Sequence, residues 1–201
     1  VAWDRKLLKL VKTESHIDIG ETVRPNDKSA LFAKLHRELS EQDVIVLAHA
    51  AGISPQAGSV DSMLKRWIEE LAQVLGIATP ITEETKSEEV EQTFHRLLHQ
   101  AAAKKCVILL IDALNQFETS PRAQHLTWLP KLWPGNARLI ATAIPGVQTK
   151  ALAERPSVKT QALTPLGQQE AEAISKSICE RYRRTLNPAV LQALITQKTK
   201  E

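Results

Sequence analysis

The sequence predicts an α/β protein with a doubly wound, mostly parallel sheet and a short helical extension at the C-terminal end. Continuous apolar runs occur at Cys106–Ile111 and Val44–Leu47, and such runs are typical of strands buried on both faces in a parallel sheet. Segments of helical periodicity separate them, and this alternation favours a doubly wound sheet. We expect a lead-in segment at 1–15, an α/β domain at 16–166 and the start of a helical subdomain at 167–201.

Composition narrows the classes of protein to consider. The chain has 201 residues, 43% of them hydrophobic, which is enough for a substantial core. Its 26 basic and 23 acidic side chains are interspersed and leave a net charge of +3, from which we expect no nucleic-acid partner. No apolar stretch reaches membrane-spanning length, so we expect a cytoplasmic protein without a membrane partner. Cys106 and Cys179 lack metal-ligand spacing and are expected to be buried free thiols.

The elements of the first half follow from periodicity and from residues that end helices. We expect a helix at Lys28–Leu39, with a leucine at every fourth position of one face, and then a buried strand at Asp43–Ala51. The clearest helix is predicted at Ser59–Leu75, where Ser59 is a suitable N-cap and Gly76 a suitable stop. Its apolar stripe, which we expect to be buried, consists of Val60, Met63, Leu64, Trp67, Ile68, Leu71, Val74 and Leu75.

The second half is interpreted in the same way. Thr85 and Glu88 have the spacing of a capping box and indicate a helix that runs to Ala103. The core is expected to include the apolar residues of the next segment, Leu126, Trp128, Leu129 and Leu132. The remaining expected elements are strands at Cys106–Asp112, Arg138–Ala143 and Thr160–Leu166, and then helices at Gln168–Arg184 and from Asn187 onwards.

A single carboxylate, Asp112, ends the longest apolar run. It is expected at the carboxyl end of its strand, where open α/β sheets bind ligands. An acid at this place is typical of a Walker B strand, whose Asp holds the magnesium ion of a bound nucleotide. A core strand that ends in a solvated Asp would give the same pattern, so this residue alone leaves both interpretations open.

A second candidate for phosphate binding is the pair Lys28 and Ser29, which follows a segment rich in turn formers and begins a helix. In a P-loop the Lys reaches the phosphates, the Ser ligates magnesium, and glycines let backbone N–H groups surround the anion. The pattern G-x-x-x-x-G-K-[ST] requires glycine where this chain has Thr22 and Asp27, and Gly20 lies two residues too early. Either a glycine-poor phosphate-binding loop or an ordinary capped helix fits this segment.

Other polar residues are expected near strand ends or on helix faces. Thr142 lies near the end of the strand after Asp112, where P-loop enzymes often carry a polar sensor of the γ-phosphate. His49, near the end of the strand at Asp43–Ala51, can either touch a ligand or simply be hydrogen-bonded. His95 and His99 are four residues apart, but no third metal ligand follows, so we expect them on a solvated face.

Three stretches carry a family resemblance. They are GETVRPNDKSALFAKLHREL, VIVLAHAAGISPQAGSVDSMLKRWIEEL, and VILLIDALNQFE with HLTWLPKLWPGNARLIATAIPG. Together they resemble the STAND class of P-loop NTPases, and within it NACHT-like domains similar to those of telomerase-associated protein and bacterial signalling NTPases. They match the Walker A region with its first helix, the second strand with its long helix, and the Walker B and sensor strands. The resemblance covers roughly residues 16 to 195.

The resemblance implies a site for ATP and magnesium. Lys28 would bind the phosphates, Ser29 and Asp112 would hold the magnesium ion, and Thr142 would lie near the sensor position. The P-loop strand would lie between the last strand and the Walker B side of the sheet. The terminal helices would begin a helical lid.

Two departures from the family pattern bear on hydrolysis. Many relatives place an acid three or four residues after the Walker B Asp, where this chain has Asn115 and Gln116. Amides can position water but cannot take up its proton, so we expect at most a slow NTPase, with Asn115 and Glu118 as candidate catalytic residues. Many NACHT domains carry an arginine where this chain has Ala143–Ile144.

The leading functional prediction is a nucleotide-binding regulatory switch of a larger signalling protein. Because both ends lie within charged sequence, we expect a fragment whose partners are other domains of the same chain, with a homo-oligomer as a further arrangement. The alternative is a degenerate NTPase domain that serves as a non-catalytic scaffold or oligomerisation module. An α/β enzyme of another class would need a nucleophile or paired acids at strand ends, and Asp112 has no obvious partner.

Overall fold

A computed structural model describes residues 17–21, 25–162, 168–185, 187 and 189–190, and the chain divides into two units, residues 1–163 and 164–201. The strands are β1 (Ile17–Glu21), β2 (Ile45–Ala50), β3 (Val107–Asp112), β4 (Ala137–Ala143) and β5 (Val158–Ala162). The helices are α1 (Pro25–Ser40), α2 (Val60–Leu75), α3 (Ser87–Lys104), α4 (Pro121–Gln124), α5 (Val147–Ala153) and α6 (Gln168–Arg181). The predicted lead-in at 1–15 and most of the helix predicted from Asn187 lie outside the described residues.

One five-stranded sheet forms the centre of the first unit. Its order is β2-β3-β4-β1-β5, and every pair of neighbouring strands is parallel. The predicted doubly wound α/β class is therefore confirmed. β1 lies between β4 and β5, which is the strand order that the family resemblance implied.

Helices cover both faces of the sheet, which explains the continuous apolar runs. On one face, Leu35 and Leu39 of α1 pack against Ile108, Leu110 and Ile140. On the other face, α2 and α3 bury the alternate residues of the same strands, and all six residues of β3 are buried. Because successive side chains of a strand point to opposite faces, a strand covered on both sides must be apolar throughout.

The helix α2 is close to its prediction. The Ser59 side chain accepts a hydrogen bond from the backbone N–H of Ser62 at 3.3 Å, and Gly76 ends the helix with a φ of 71°. This left-handed conformation carries little cost for glycine. The predicted stripe is buried except at its C-terminal end, where Val74 is 54% exposed and Leu75 is half-buried.

The predicted capping box of α3 is wrong. The helix begins after Lys86, whose side chain makes no capping hydrogen bond. Thr85 Oγ1 instead accepts a hydrogen bond from the backbone N–H of Thr82 at 2.8 Å, in the turn that precedes the helix. A threonine hydroxyl stabilises either a turn or a helix end, and the local sequence does not decide between them.

Two further expectations need correction, and one helix was not expected. Leu126, Trp128 and Leu129 are buried, but Leu132 is 83% exposed. The helix α5 was not predicted; it follows Gly146 and has only seven residues, too few for a helical period to be recognised. Cys106 and Cys179 are free thiols, as expected, but both are half-buried rather than buried.

The second unit contains α6, described here by itself. The helix spans Gln168–Arg181 and is followed by Arg183 with a φ of 51°. The N–H of Arg184 donates to the carbonyl of Cys179 at 2.8 Å, which satisfies one of the last carbonyls of the helix. None of the helices in the described part of the chain combines the length and apolar character required to span a bilayer.

Candidate functional site

Three polar side chains from separate elements meet at the carboxyl edge of the sheet, and we call them the Asp112 site. Asp112 is the last residue of β3, Thr142 lies near the end of β4, and Ser29 lies near the start of α1. The Ser29 hydroxyl donates to Asp112 Oδ2 at 2.5 Å, and the Thr142 hydroxyl donates to Asp112 Oδ1 at 2.5 Å. Each carboxylate oxygen therefore accepts a hydrogen bond from a different neighbouring element.

The alternation of side chains along the strands explains why these groups meet. Asp112 follows Leu110 by two positions, and Thr142 follows Ile140 by two, so both polar side chains point to the face that α1 covers. α1 packs on that face, which places its N-terminal turns, with Ser29, above the ends of β3 and β4. The apolar core thus determines where the polar residues lie.

The site is closed on one side and open on the other. Asp112 is 6% exposed and Thr142 is 5% exposed, whereas Ser29 is exposed. Thr142 Oγ1 also accepts the backbone N–H of Ala113 at 3.0 Å, while its single proton is donated to Asp112. In this arrangement Thr142 orients the carboxylate rather than offering a proton to a ligand.

The donor set fits a magnesium ion held together with a phosphate. Carboxylate and hydroxyl oxygens are hard ligands of the kind that magnesium prefers, and magnesium is usually bound by one or two protein groups plus substrate phosphates and water. Within the described ranges, no group of three or more His, Cys, Asp and Glu side chains is placed to hold a metal. Ser29 and Asp112 are therefore suited to a shared ion rather than to a metal site built from protein ligands alone.

Lys28 immediately precedes Ser29 near the start of α1, but its side chain lies outside the described residues, as do residues 22–24 of the preceding segment. α1 has 16 residues, and its N-terminal backbone N–H groups lack helical partners. Such a helix start favours an anion. The position of Lys28 in the chain is compatible with a phosphate-binding role.

The two candidate catalytic residues lie in the segment Ala113–Glu118, which we call the post-β3 segment. Asn115 Oδ1 accepts the backbone N–H of Ile144 at 3.0 Å, so its amide is engaged with the end of β4. Glu118 is exposed, and its carboxylate accepts a hydrogen bond from the Ser120 hydroxyl at 3.2 Å. Among the described contacts, neither side chain hydrogen-bonds to a member of the Asp112 site.

His49 is hydrogen-bonded through both ring nitrogens. Its Nε2–H donates to the Ala57 carbonyl at 2.7 Å, and its Nδ1 accepts a hydrogen bond from Arg66 at 3.2 Å. The ring also stacks on Phe117 with a centroid distance of 5.5 Å and an interplanar angle of 13°. Sequence reasoning anticipated a bonded histidine but not Arg66 or Phe117, because only the fold brings these residues together.

His95 and His99, which are four residues apart on α3, differ in exposure to solvent. His95 is half-buried, and its Nε2–H donates to the Trp128 carbonyl at 2.8 Å, which corrects the expectation of a solvated face. His99 is exposed, as expected. The two side chains thus differ in role, and His95 connects α3 to the segment before β4.

The environment of His49 predicts a pH dependence of stability. Burial lowers its pKa below the ordinary 6.5; the Ala57 carbonyl opposes this shift, and the positive charge of Arg66 adds to it. The folded state thus binds fewer protons at this residue than the unfolded state, so stability is fully present above pH 6.5 and decreases as the pH falls towards the lowered pKa. We expect His49→Gln, which cannot be protonated, to show a smaller loss of unfolding free energy between about pH 7.5 and 5 in urea titrations. Equal losses in the two proteins would contradict this assignment.

Comparison with solved structures agrees with this fold. The ORC1 protein of Aeropyrum pernix, solved in complex with DNA, superposes with a TM-score of 0.66 at 16% identity, covering 100% of this chain and 55% of that one. Cdc6p of Pyrobaculum aerophilum gives 0.55 at 13% identity, covering 87% and 46%. Domain III of the replication initiation protein DnaA of Thermotoga maritima gives 0.52 at 13%, covering 96% and 73%. These likenesses show that the chain shares its fold with these three proteins.

Two curated proteins share low sequence identity with the chain. It is 22% identical over 199 residues to a TPR repeat-containing protein of Dictyostelium discoideum and 23% identical over 171 residues to the human NACHT domain- and WD repeat-containing protein 1. Each match covers 80% of this chain, which spans only 12% and 11% of the lengths of these relatives. No family model matches the chain.

The expectation that nucleic acid is excluded as a partner is wrong. Among chains with this fold, the Aeropyrum pernix protein was solved in complex with DNA, and a Drosophila chain with a TM-score of 0.53 belongs to a complex of ORC with AT-rich DNA and Cdc6. Net charge sums the whole surface, whereas phosphate contacts need only a local group of basic side chains. A net charge of +3 is therefore no ground for the exclusion.

Proposed function

We propose that this domain binds ATP with magnesium at the carboxyl edge of its sheet and acts as a nucleotide-dependent regulatory domain of a larger signalling protein. The observation that carries this proposal is the contact between Ser29 and Asp112. A hydroxyl near a helix start and a carboxylate at a strand end, 83 residues apart in sequence, meet at 2.5 Å. These are the two protein groups through which Walker motifs hold magnesium.

Three further features support this proposal. Lys28 adjoins Ser29 near the N-terminal end of α1, where a phosphate would benefit from unpaired backbone N–H groups. Thr142 orients the carboxylate of Asp112, and Ser29, the exposed member of the site, can be reached from solvent. The glycine-poor sequence before Lys28 favours weaker binding than a full P-loop would give.

The surroundings of Asp112 favour slow or absent hydrolysis. A catalytic base must be able to take a proton from the attacking water. Asn115 is an amide and cannot take up a proton, and its oxygen is engaged with the N–H of Ile144. Glu118 is a carboxylate, but among the described contacts its side chain hydrogen-bonds to Ser120 and not to the Asp112 site. Nucleotide would then act mainly by binding, since a switch requires only a difference in affinity between two conformations.

The proposal that the domain is of the STAND class and NACHT-like rests on the three sequence stretches and on the human relative that carries a NACHT domain in its name. The two relatives are named for TPR and WD repeats, which supports the proposal that other domains of a longer chain are partners here. In this proposal residues 16–166 form the nucleotide-binding domain, and residues 167–201 begin a helical subdomain.

Thermal melting with nucleotide tests the proposal. ATP at about 100 times its Kd should add about 2.7 kcal/mol of stability, or about 5–10 °C in Tm for a chain of this size, if magnesium is present. Lys28→Ala should greatly reduce this shift. Arg37→Ala, an exposed basic residue later in α1, is the matched control and should leave it unchanged. An unchanged Tm with millimolar ATP and magnesium would reject nucleotide binding and favour the scaffold alternative.

A further inference from the structure

The post-β3 segment is held from two sides. On the β4 side, Asn115 accepts the N–H of Ile144. On the β2 side, the N–H of Glu118 donates to the Gly58 carbonyl at 2.9 Å, and Phe117 is 5% exposed, lying against both His49 and Trp128. The segment begins at Ala113, which has a φ of 58° and directly follows Asp112. A shift of the segment would therefore move backbone that is bonded to a residue of the Asp112 site.

His49 is in turn held rigidly. Both of its ring nitrogens are bonded, and Arg66, which donates to Nδ1, also donates to the Ala48 carbonyl at 2.7 Å. The Trp67 ring lies nearly perpendicular to the imidazole, at a centroid distance of 6.4 Å and an interplanar angle of 84°. The ring on which Phe117 stacks therefore has a fixed position and tautomer.

The post-β3 segment is also packed closely against the connection between β2 and α2, independently of the contacts of His49. A Cβ atom added to Gly58 would lie 3.1 Å from the Gln116 carbonyl oxygen, and one added to Gly52 would lie 3.5 Å from Gln116 Cγ. The connection between β2 and α2 and the post-β3 segment thus approach each other closely at two places. An apolar side chain in place of His49 could fill the space but could not bond Ala57 and Arg66.

We propose that His49 is a positioning residue for the post-β3 segment, and that through Phe117 it keeps Asn115 on the backbone of Ile144 beside the Asp112 site. Its relevance to nucleotide rests on the proposed function, whereas the positioning itself does not. Loss of the stack should free Asn115 from Ile144, even though Asn115 and Ile144 are unchanged.

Amide hydrogen exchange at Ile144, measured by NMR without nucleotide, tests this role. Phe117→Leu and His49→Gln each remove one ring of the stack, and His49→Gln retains a donor and an acceptor. Since an aromatic pair is worth roughly 0.5–1.5 kcal/mol, each variant should speed exchange at Ile144 about two- to twelvefold. The double variant should be no faster than the faster single one, because both changes remove the same contact.

Phe94→Leu is the matched control, since Phe94 is fully buried and its described ring contacts are with Trp67 and His95 rather than with His49 or Phe117. Exchange at Ile144 is compared with exchange at the core amide of Leu109, so that a loss of global stability is corrected for. By this measure Phe94→Leu should not speed exchange at Ile144. Unchanged exchange at Ile144 in both ring variants, additive effects in the double variant, or an equal effect of Phe94→Leu would each overturn the positioning role.

A parallel titration with ATP and magnesium keeps the two proposals distinguishable. If the wild-type protein does not bind nucleotide but exchange at Ile144 is faster in the ring variants, the proposed function fails and the positioning role stands. If nucleotide binds and Ile144 does not respond, the positioning role fails and the proposed function stands.

Discussion

Replacing Asp112 with alanine is expected to remove the dependence of ATP binding on magnesium. Asp112 is the buried carboxylate on which Ser29 and Thr142 converge, and it is the charged member of the proposed ion site. Mutation of groups that merely support metal ligands costs about 10–100-fold in metal affinity, so loss of a charged ligand should cost about 100-fold or more. Titration of a fluorescent ATP analogue, with magnesium and with EDTA, measures the change.

Two variants make this result specific. Asp43→Ala removes an acid that is 95% exposed and paired with Lys105 before β2, and it should leave the magnesium dependence intact. Thr142→Val keeps the shape of the side chain but leaves Asp112 Oδ1 without its hydrogen bond, so an intermediate loss of about tenfold is expected. If Asp112→Ala still binds ATP in a magnesium-dependent way, Asp112 does not belong to the metal site.

The largest effect on stability is expected for Trp67→Ala. Trp67 is fully buried between the sheet and α3, and its ring lies 5.7 Å from that of Phe94. Deleting a buried Trp typically costs about 3–5 kcal/mol through lost burial and the cavity left behind. That is a large part of the total stability of a domain, so urea unfolding followed by circular dichroism should show a much lower midpoint.

Trp67→Phe separates the loss of volume from the loss of polarity. The indole N–H of Trp67 is buried and has no hydrogen-bond partner among the described residues. Phenylalanine removes this unpaired donor and retains most of the ring, so a smaller loss of about 1–2 kcal/mol is expected. Equal losses for the alanine and phenylalanine variants would show that the cavity does not dominate.

The parts of the fold that follow from one local pattern could be predicted from the sequence. The apolar run from Cys106 to Ile111 indicated a strand buried on both faces, and Ser59 with Gly76 bounded α2, because these signals depend only on neighbouring residues. The capping role predicted for Thr85 was wrong because a hydroxyl can hydrogen-bond in several ways, and α5 was missed because a short helix shows no period.

The candidate site was predictable only as a set of separate residues. Asp112, Ser29 and Thr142 could be named from motifs. The hydrogen bond that the Thr142 hydroxyl donates to Asp112, however, depends on the register between β3 and β4. The contacts of His49 with Arg66 and Phe117 join residues distant in sequence, and no spacing rule links them. The exclusion of nucleic acid failed because it used an average over the surface.

The position of Arg66 has a consequence for how copies of this chain can associate. β2 is the outermost strand on its side of the described sheet, and Ile45 and Ala51 direct their N–H groups to β3. In a parallel strand, each residue directs both backbone groups to one side and the next residue directs them to the other, so the carbonyl of Ala48 points away from β3. Open strand edges recruit further strands and promote aggregation. By occupying the Ala48 carbonyl, Arg66 obstructs growth of the sheet from this side. Association of two copies should therefore use helical or loop surfaces rather than a continuous intermolecular sheet through β2.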